Sequence, residues 1–188
     1  VSEANLIQQA RRGDEVAWAM LVGQYQEAVF RLAYLLLADA DEAKDVAQEV
    51  FIRAFYALDR FDSSRPLHPW LLSITTNLAR NRQRSLGRYL AAVTRWFQTE
   101  PEPVMPNPGD EHLRQQEAKT LWQAVQRLSR ADQEIIYLRY FLELSVEEAA
   151  EAAEIAPGTV KSRLHRALNR LRTTVMEEFP TLQEERIG

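Results

Sequence analysis

An all-α fold of two small helical domains joined by a Pro-rich linker is the architecture this sequence predicts. Three observations point to it. Apolar residues recur at three- and four-residue steps in nearly every segment, the spacing of a buried helical stripe rather than of a strand. Pro101, Pro103, Pro106 and Pro108, with Asn107 and Gly109, interrupt that pattern in mid-chain, where no helix can be sustained. A chain of 188 residues that is 46% apolar can bury one ordinary core or two small ones. The expected division is 1–88, a linker over 89–111, a second domain over 112–180 and a tail over 181–188.

The first long helix carries Val16, Met20, Leu21, Tyr25, Ala28, Val29, Leu32, Leu35 and Leu36 as one apolar stripe. A second helix is expected from about Asp41 to Leu58, with Val46, Val50, Ala54 and Leu58 on its buried side. The run Phe61-Asp62-Ser63-Ser64-Arg65-Pro66 reads as a loop. A third helix starts near Pro69, which suits a first turn, and runs through Trp70, Leu71, Ile74 and Leu78 towards Arg84. Trp70 reads as core, beside Leu71 and Leu72. Helical patterning fails from about Ser85 to Glu111, although Tyr89 to Phe97 is apolar. That segment is either an extra turn packed on the first domain or a docking surface.

Beyond the linker a helix is expected from about Leu113 to Leu128. Ser129-Arg130-Ala131-Asp132 looks like an N-terminal cap leading into Ile135, Ile136, Leu138 and Phe141. Ser145-Val146-Glu147-Glu148 fits a capping box, and Ala156-Pro157 opens a last helix that runs to about Met176. Leu164, Ala167 and Leu168 are its expected core positions.

Charge is segregated along the chain although the net charge is only −4. Acids gather at Asp39, Asp41, Glu42, Asp45 and Glu49. Cations gather at Arg80, Arg82, Arg84 and Arg88, and again at Lys161, Arg163, Arg166, Arg170 and Arg172. The last group lies on the second helix of a predicted helix–turn–helix whose first helix exposes Glu147, Glu148, Glu151 and Glu154. A helix–turn–helix offers its second helix to the DNA major groove, so the sequence points to a DNA reader. The absence of cysteine excludes disulfides and suits a reducing cytosol. Charges interrupt every stretch of about eighteen or more residues, so no membrane insertion is expected, and the opening Val1-Ser2-Glu3 does not look like a signal peptide. His68, His112 and His165 are scattered, with no phosphate loop or metal-ligand spacing, so neither a metal nor another cofactor nor an enzymatic activity is expected.

The run from Leu128 through Ile136-Tyr137-Leu138-Arg139-Tyr140, Ser145-Val146-Glu147-Glu148 and Gly158-Thr159-Val160-Lys161-Ser162-Arg163-Leu164-His165-Arg166-Ala167 resembles region 4 of bacterial sigma factors. Asp45-Val46-Ala47-Gln48-Glu49-Val50-Phe51, Ala57-Leu58-Asp59-Arg60-Phe61-Asp62 and Pro69-Trp70-Leu71 with Ile74, Asn77, Leu78 and Arg80 resemble region 2. Their order, without other domains, is similar to the extracytoplasmic-function (ECF) group.

The resemblance implies three roles. Asp45, Gln48 and Glu49, at i, i+3 and i+4 on one helix side, correspond to the family's surface for the coiled coil of the largest subunit of core RNA polymerase. Phe61, Ser63 and Ser64 on a loop, with Asn77, Arg80 and Arg84 on one helix face, correspond to capture of a flipped base and the strand of the −10 promoter element. Thr159, Lys161, Ser162, His165 and Arg166 correspond to base or phosphate contacts at the −35 element, with Arg139 and Arg163 on phosphates. It further implies a cytoplasmic protein, associated with the nucleoid when bound to polymerase, and an anti-sigma factor as partner. A two-domain transcriptional regulator that acts without polymerase is the alternative. The sequence departs from the family pattern at Glu154, where Gly is usual, at Ala156, where Ser is usual, and at Ala149 and Ala153, where larger aliphatics are common.

Overall fold

The computed structural model describes residues 2–93 and 121–178. All regular structure among the described residues is helical. The prolines of the expected linker, Trp96, Phe97, His112 and the start of the helix expected at Leu113 lie outside the described residues.

The first unit opens with a helix that periodicity over longer windows passes over, α1 (Glu3–Arg11). Ser2 caps it, accepting from the Asn5 N–H, and Leu6, Ile7 and Ala10 bury one side. Helix α2 (Glu15–Leu37) is capped by Asp14 and buries Ala17, Leu21, Tyr25, Val29, Leu32 and Leu35. Val16 and Met20, expected on that stripe, are 70% and 50% exposed instead. Leu21 is buried as expected and Ala17, not on the expected stripe, joins it, because the helix meets its neighbours along the Leu21-Tyr25-Val29-Leu32 line.

Helix α3 (Ala40–Ala57) is capped by Asp39, whose carboxylate accepts from the Asp41 and Glu42 N–H groups. Val46, Val50 and Ala54, with Leu58 in the short 3-10 turn that follows, form the expected buried stripe. Helix α4 (Leu67–Val93) includes Pro69 in its first turn and continues nine residues beyond Arg84 to Val93, into the segment where patterning had failed. Side-chain patterning fades there, but backbone helicity needs no apolar stripe once a preceding helix propagates it.

Partly buried polar links tie these helices together. The Tyr25 hydroxyl donates to Glu3, whose other carboxylate oxygen accepts the Leu67 N–H at 3.1 Å, so α1, α2 and the start of α4 meet at one carboxylate. Arg11 donates to the carbonyls of Leu58, at 2.9 Å, and Phe61. Gln83 donates to the Leu36 carbonyl, and Arg82 pairs with Glu42 at 3.2 Å.

In the second unit residues 121–126 are helical. Ser129 caps α5 (Arg130–Ile136), accepting from the Asp132 N–H, and the helix relaxes into a wider π-type turn over Tyr137–Phe141. Helix α6 (Val146–Ala153) has both bonds of the capping box: the Ser145 hydroxyl accepts from the Glu148 N–H at 3.1 Å and the Glu148 carboxylate from the Ser145 N–H at 2.8 Å. Helix α7 (Pro157–Glu178) follows after a tight turn. Its core line is Val160, Leu164, Ala167 and Leu171. Leu168, expected to be core, is 36% exposed because it lies one position off that line.

Glu154 ends α6 in the left-handed conformation at φ +56°. That explains why the usual residue there is glycine: an L side chain is strained at this angle by roughly 1–2 kcal/mol.

Candidate partner and nucleic-acid interfaces

Helix α3 presents the acidic face outward. Its four-residue apolar stripe is consumed by the core, which leaves Asp45 and Gln48 exposed and Glu49 partly so. Glu49 accepts from Arg53 one turn on, at 2.5 Å. Sequence reasoning missed what continues this face. Ile52, Phe55 and Tyr56 stand seven residues after Asp45, Gln48 and Glu49, and they are 49%, 47% and 80% exposed. Phe55 meets the Trp18 ring edge-on at 5.4 Å. Beside it a shallow groove of about 490 Å³ runs between α2 and α3, lined by Val22, Phe30, Ala47 and Phe51 among others. A carboxylate-edged apolar surface of this kind suits a partner helix that carries basic residues. The seven-residue spacing was the available signal.

The surface expected to hold single-stranded DNA is only partly assembled. Phe61 is a correction: its ring is 7% exposed and lies on Trp70 at a centroid distance of 4.6 Å. Arg11 holds its carbonyl, so the ring is turned into the core and presents no stacking face. Trp70 packs against the core as expected. Ser64 is exposed and Ser63 half-buried, in a turn closed by the Ser64 N–H donating to Asp62 at 3.0 Å. Those bonds to Ser64 hold the Asp62 carboxyl below the usual carboxylate range. Asn77 is half-buried and Arg84 exposed on the same side of α4.

Arg80, between them, is engaged. Its Nε donates to Glu134 Oε2 at 2.9 Å, and its Nη2 donates to Glu134 Oε1 at 2.6 Å and to the Ala153 carbonyl at 3.0 Å. This is a bidentate pair with a carboxylate that is almost wholly buried. Its hydrogen bonds hold the guanidinium proton more tightly still. Around it, Arg80, Gln83 and Arg84 from α4 and Arg130, Glu134 and Arg163 from the second unit line a cleft of about 470 Å³. Arg65 adds a second bridge between the units, to Glu151 at 2.6 Å. None of these cross-unit pairs was foreseen, and partners 54 residues apart, as Arg80 and Glu134 are, leave no local signal.

His68 sits near the same joint. Its ring stacks on Tyr25 at 5.5 Å, and it borders a cleft shared with Arg31, Phe141 and Glu143. Burial pushes its imidazole pKa down, against the opposing pull of Glu148 and Glu3.

Helix α7 separates apolar and polar sides cleanly. Opposite the Val160-Leu164-Ala167-Leu171 line, Lys161, Ser162, His165 and Arg166 are exposed, and Thr159 and Arg163 are half-buried. Arg166 donates from Nε to the Ser162 carbonyl at 3.2 Å, so its stem lies along the helix with the guanidinium outward. His165 is within 3.1 Å of the Asn169 amide. Arg170 is committed elsewhere, to Asp132 at 2.5 Å. Arg139 is half-buried, and its Nε finds no partner. No group of three or more His, Asp or Glu with metal-holding geometry occurs among the described residues. No helix of the described residues is long and apolar enough to cross a membrane.

Comparison with known proteins fits this geometry. The family model of sigma-70 region 2 matches residues 21–89, and that of sigma-70 region 4 matches residues 118–171. The ECF RNA polymerase sigma factor SigW of Bacillus subtilis is 35% identical, over 88% of this chain and 92% of its own length. The RNA polymerase sigma-H factor of Pseudomonas aeruginosa is 33% identical, over 88% and 89%. The structure is also similar to that of the sigma factor RpoE of Bartonella quintana, solved in complex with the anti-sigma factor NepR. The TM-score is 0.67 at 26% identity, covering 85% of this chain and 97% of that one. Two helical units in this order, matched along most of the chain, place it in a family: the chain belongs to the sigma-70 family of RNA polymerase sigma factors, in the extracytoplasmic-function group.

Proposed function

We propose that this sigma factor divides promoter recognition between its two units as follows. The outward face of α3, Asp45, Gln48 and Glu49 extended by Ile52, Phe55 and Tyr56, grips the coiled coil of the largest subunit of core RNA polymerase. The α4 side with Asn77, Arg80 and Arg84, bordered by Ser63 and Ser64, holds the displaced strand of the −10 element. An amide can hydrogen-bond a base edge, and guanidinium groups neutralise the phosphates beside it. The polar side of α7 enters the major groove at the −35 element, with Lys161, Ser162, His165 and Arg166 outermost, Thr159 and Arg163 flanking them, and Arg139 at a phosphate. Strand separation draws on binding free energy, so the reading requires no catalytic chemistry and no cofactor.

The observation that carries this reading is the two-sidedness of α7, apolar on the side packed against α5 and α6 and cationic on the side left open. An ordinary surface helix mixes charges of both signs on its solvent side, whereas α7 carries Lys161, Arg163, Arg166, Arg170 and Arg172 and no carboxylate before Glu177. A regulator that works without polymerase does not account for a first unit of the region 2 type. The protein acts in the cytoplasm, with the polymerase. A second protein that covers these faces, as NepR accompanies RpoE, fits as an anti-sigma partner.

Run-off transcription tests the reading. Core enzyme with the full chain should start RNA synthesis on a promoter library. The charge-reversed variant Asp45→Arg/Glu49→Arg should lose both transcription and co-elution with core. Undiminished co-elution overturns the α3 assignment.

A further inference from the structure

We propose that helix α1 braces the loop that captures a base of the −10 strand, with Arg11 and Glu3 as positioning residues that tie both ends of that loop to one rigid element. The proposal rests on the −10 reading given above. It assigns work to a helix that precedes the stretch matched by the region 2 model, residues 21–89.

One guanidinium holds the entry of the loop. Arg11 Nε donates to the Leu58 carbonyl at 2.9 Å, and Arg11 Nη2 donates to the Phe61 carbonyl. The Leu58 carbonyl also accepts the Phe61 N–H at 3.1 Å, so the turn is closed and clamped at the same oxygen. A guanidinium is a planar fork with fixed donor directions, and two carbonyls bound to it cannot swing independently. The peptide unit is planar too, so a fixed Phe61 carbonyl sets the direction in which the chain leaves towards Asp62. From there the loop closes on itself. Asp62 accepts the Ser64 N–H on its carboxylate at 3.0 Å and the Arg65 N–H on its carbonyl at 3.0 Å. A continuous series of bonds runs from Arg11 to the turn that carries Ser63 and Ser64.

The exit of the loop is held from the same helix. Glu3 accepts the Leu67 N–H at 3.1 Å, where α4 begins. The first N–H groups of a helix have no partner within it, so Glu3 completes the start of α4 and pins the chain there. Glu3 and Arg11 are eight positions apart, which is about 12 Å along a helix axis. The chain from Phe61 to Leu67 spans roughly 20 Å when fully extended. With both ends tied to α1 the loop stays bowed. The brace is itself fixed, because Leu6, Ile7 and Ala10 bury its inner side, and the Phe61 ring rests on Trp70.

A loop ordered before the strand arrives has less freedom to lose when it takes up a base. The brace therefore strengthens capture of the base and leaves the phosphate contacts of α4 as they are.

The test uses holoenzyme assembled from core polymerase and the full chain. The probe is a labelled single-stranded oligodeoxynucleotide about a dozen nucleotides long, selected from a random pool on the wild-type holoenzyme. Companion strands carry an abasic site at each position in turn, and anisotropy gives the affinity lost with each base. In the wild type one position should stand out. Arg11→Met and Glu3→Ala should each weaken the intact strand about tenfold, as expected when about one more loop residue must be ordered on capture. The strand abasic at that position should bind as before. Arg11→Lys, which can hold one carbonyl, should recover part of the loss. Val29→Ala opens a cavity in the core stripe of α2, and it should lower the melting temperature with base discrimination intact. Discrimination unchanged in either Arg11→Met or Glu3→Ala overturns the brace. An equal loss in Val29→Ala also overturns it, by tracing the effect to stability alone. A wild type in which no abasic position stands out overturns the −10 reading itself, an outcome distinct from the other two.

Discussion

Arginine 166 and arginine 170 lie one turn apart on α7, and the structure predicts opposite consequences for their removal. Arg166 is exposed, anchored to its own helix by the Ser162 carbonyl with its guanidinium outward. Arg170 is bonded at 2.5 Å to Asp132, whose side chain is only 4% exposed. Each phosphate neutralised by a cation contributes about 0.9 to the slope of log affinity against log salt on duplex DNA. Arg166→Ala should therefore reduce that slope by about 0.9. Across a fourfold rise in salt, from roughly 50 to roughly 200 mM, wild-type affinity should then fall about 3.5-fold more than that of the variant. Arg170→Ala should leave the slope where it was and instead lower the melting temperature, because it strands a buried carboxylate. The assay is anisotropy with a labelled −35 duplex across the salt series, with thermal denaturation in parallel. An unchanged slope for Arg166→Ala, or an equal fall for both variants, refutes the assignment of the outer side of α7 to phosphate contact.

Three further outcomes follow from particular groups. Glu154→Gly should raise stability by about 0.5–1 kcal/mol in denaturant titration, since glycine relieves the left-handed angle at φ +56° at some entropic cost; a loss of stability shows that the Glu154 side chain outweighs the strain. Ser145→Ala should cost about 1 kcal/mol by removing half of the capping box. It should also shift acid unfolding: Ser145 bonds hold the Glu148 pKa below the ordinary glutamate value, so that share of stability is present above the unfolded pKa and disappears as pH falls through the folded one. Because the Ser145 N–H survives in Ser145→Ala, Glu148→Gln is the decisive variant, and an acid limb unchanged in it counts against the linkage. For His68 the folded pKa lies below the unfolded value of about 6.5, so its neutral form contributes stability above that pH which fades on acidification. Denaturant titrations at about pH 7.5 and about pH 5.5 should show a drop in the wild type that His68→Gln flattens; equal drops place the sensitive group elsewhere.

The places where sequence and structure part company share a cause. The caps at Asp14, Asp39, Ser129 and Ser145 act over three residues, so those that the sequence marked, at Ser129 and Ser145, are found as expected. Phe61 departs from expectation because a loop aromatic faces inward or outward according to what lies beneath it, here Trp70. Val16, Met20 and Leu168 depart because a stripe about a hundred degrees wide leaves its edges undecided until neighbouring helices choose a line. Helix α1 escaped notice because nine residues hold few turns and its Ser2 cap was not read, whereas the still shorter α6 was legible through its capping box.

From the chain alone come the all-helical class, the helix–turn–helix, the outward acids of α3 and the outward cations of α7, because periodicity and capping are properties of near neighbours. Which side of α4 is free, where Arg80 spends its charge and how the two units meet depend on contacts between residues far apart in the chain. Such contacts exist only once side-chain packing has chosen among many compatible arrangements, and only the tertiary structure decides them.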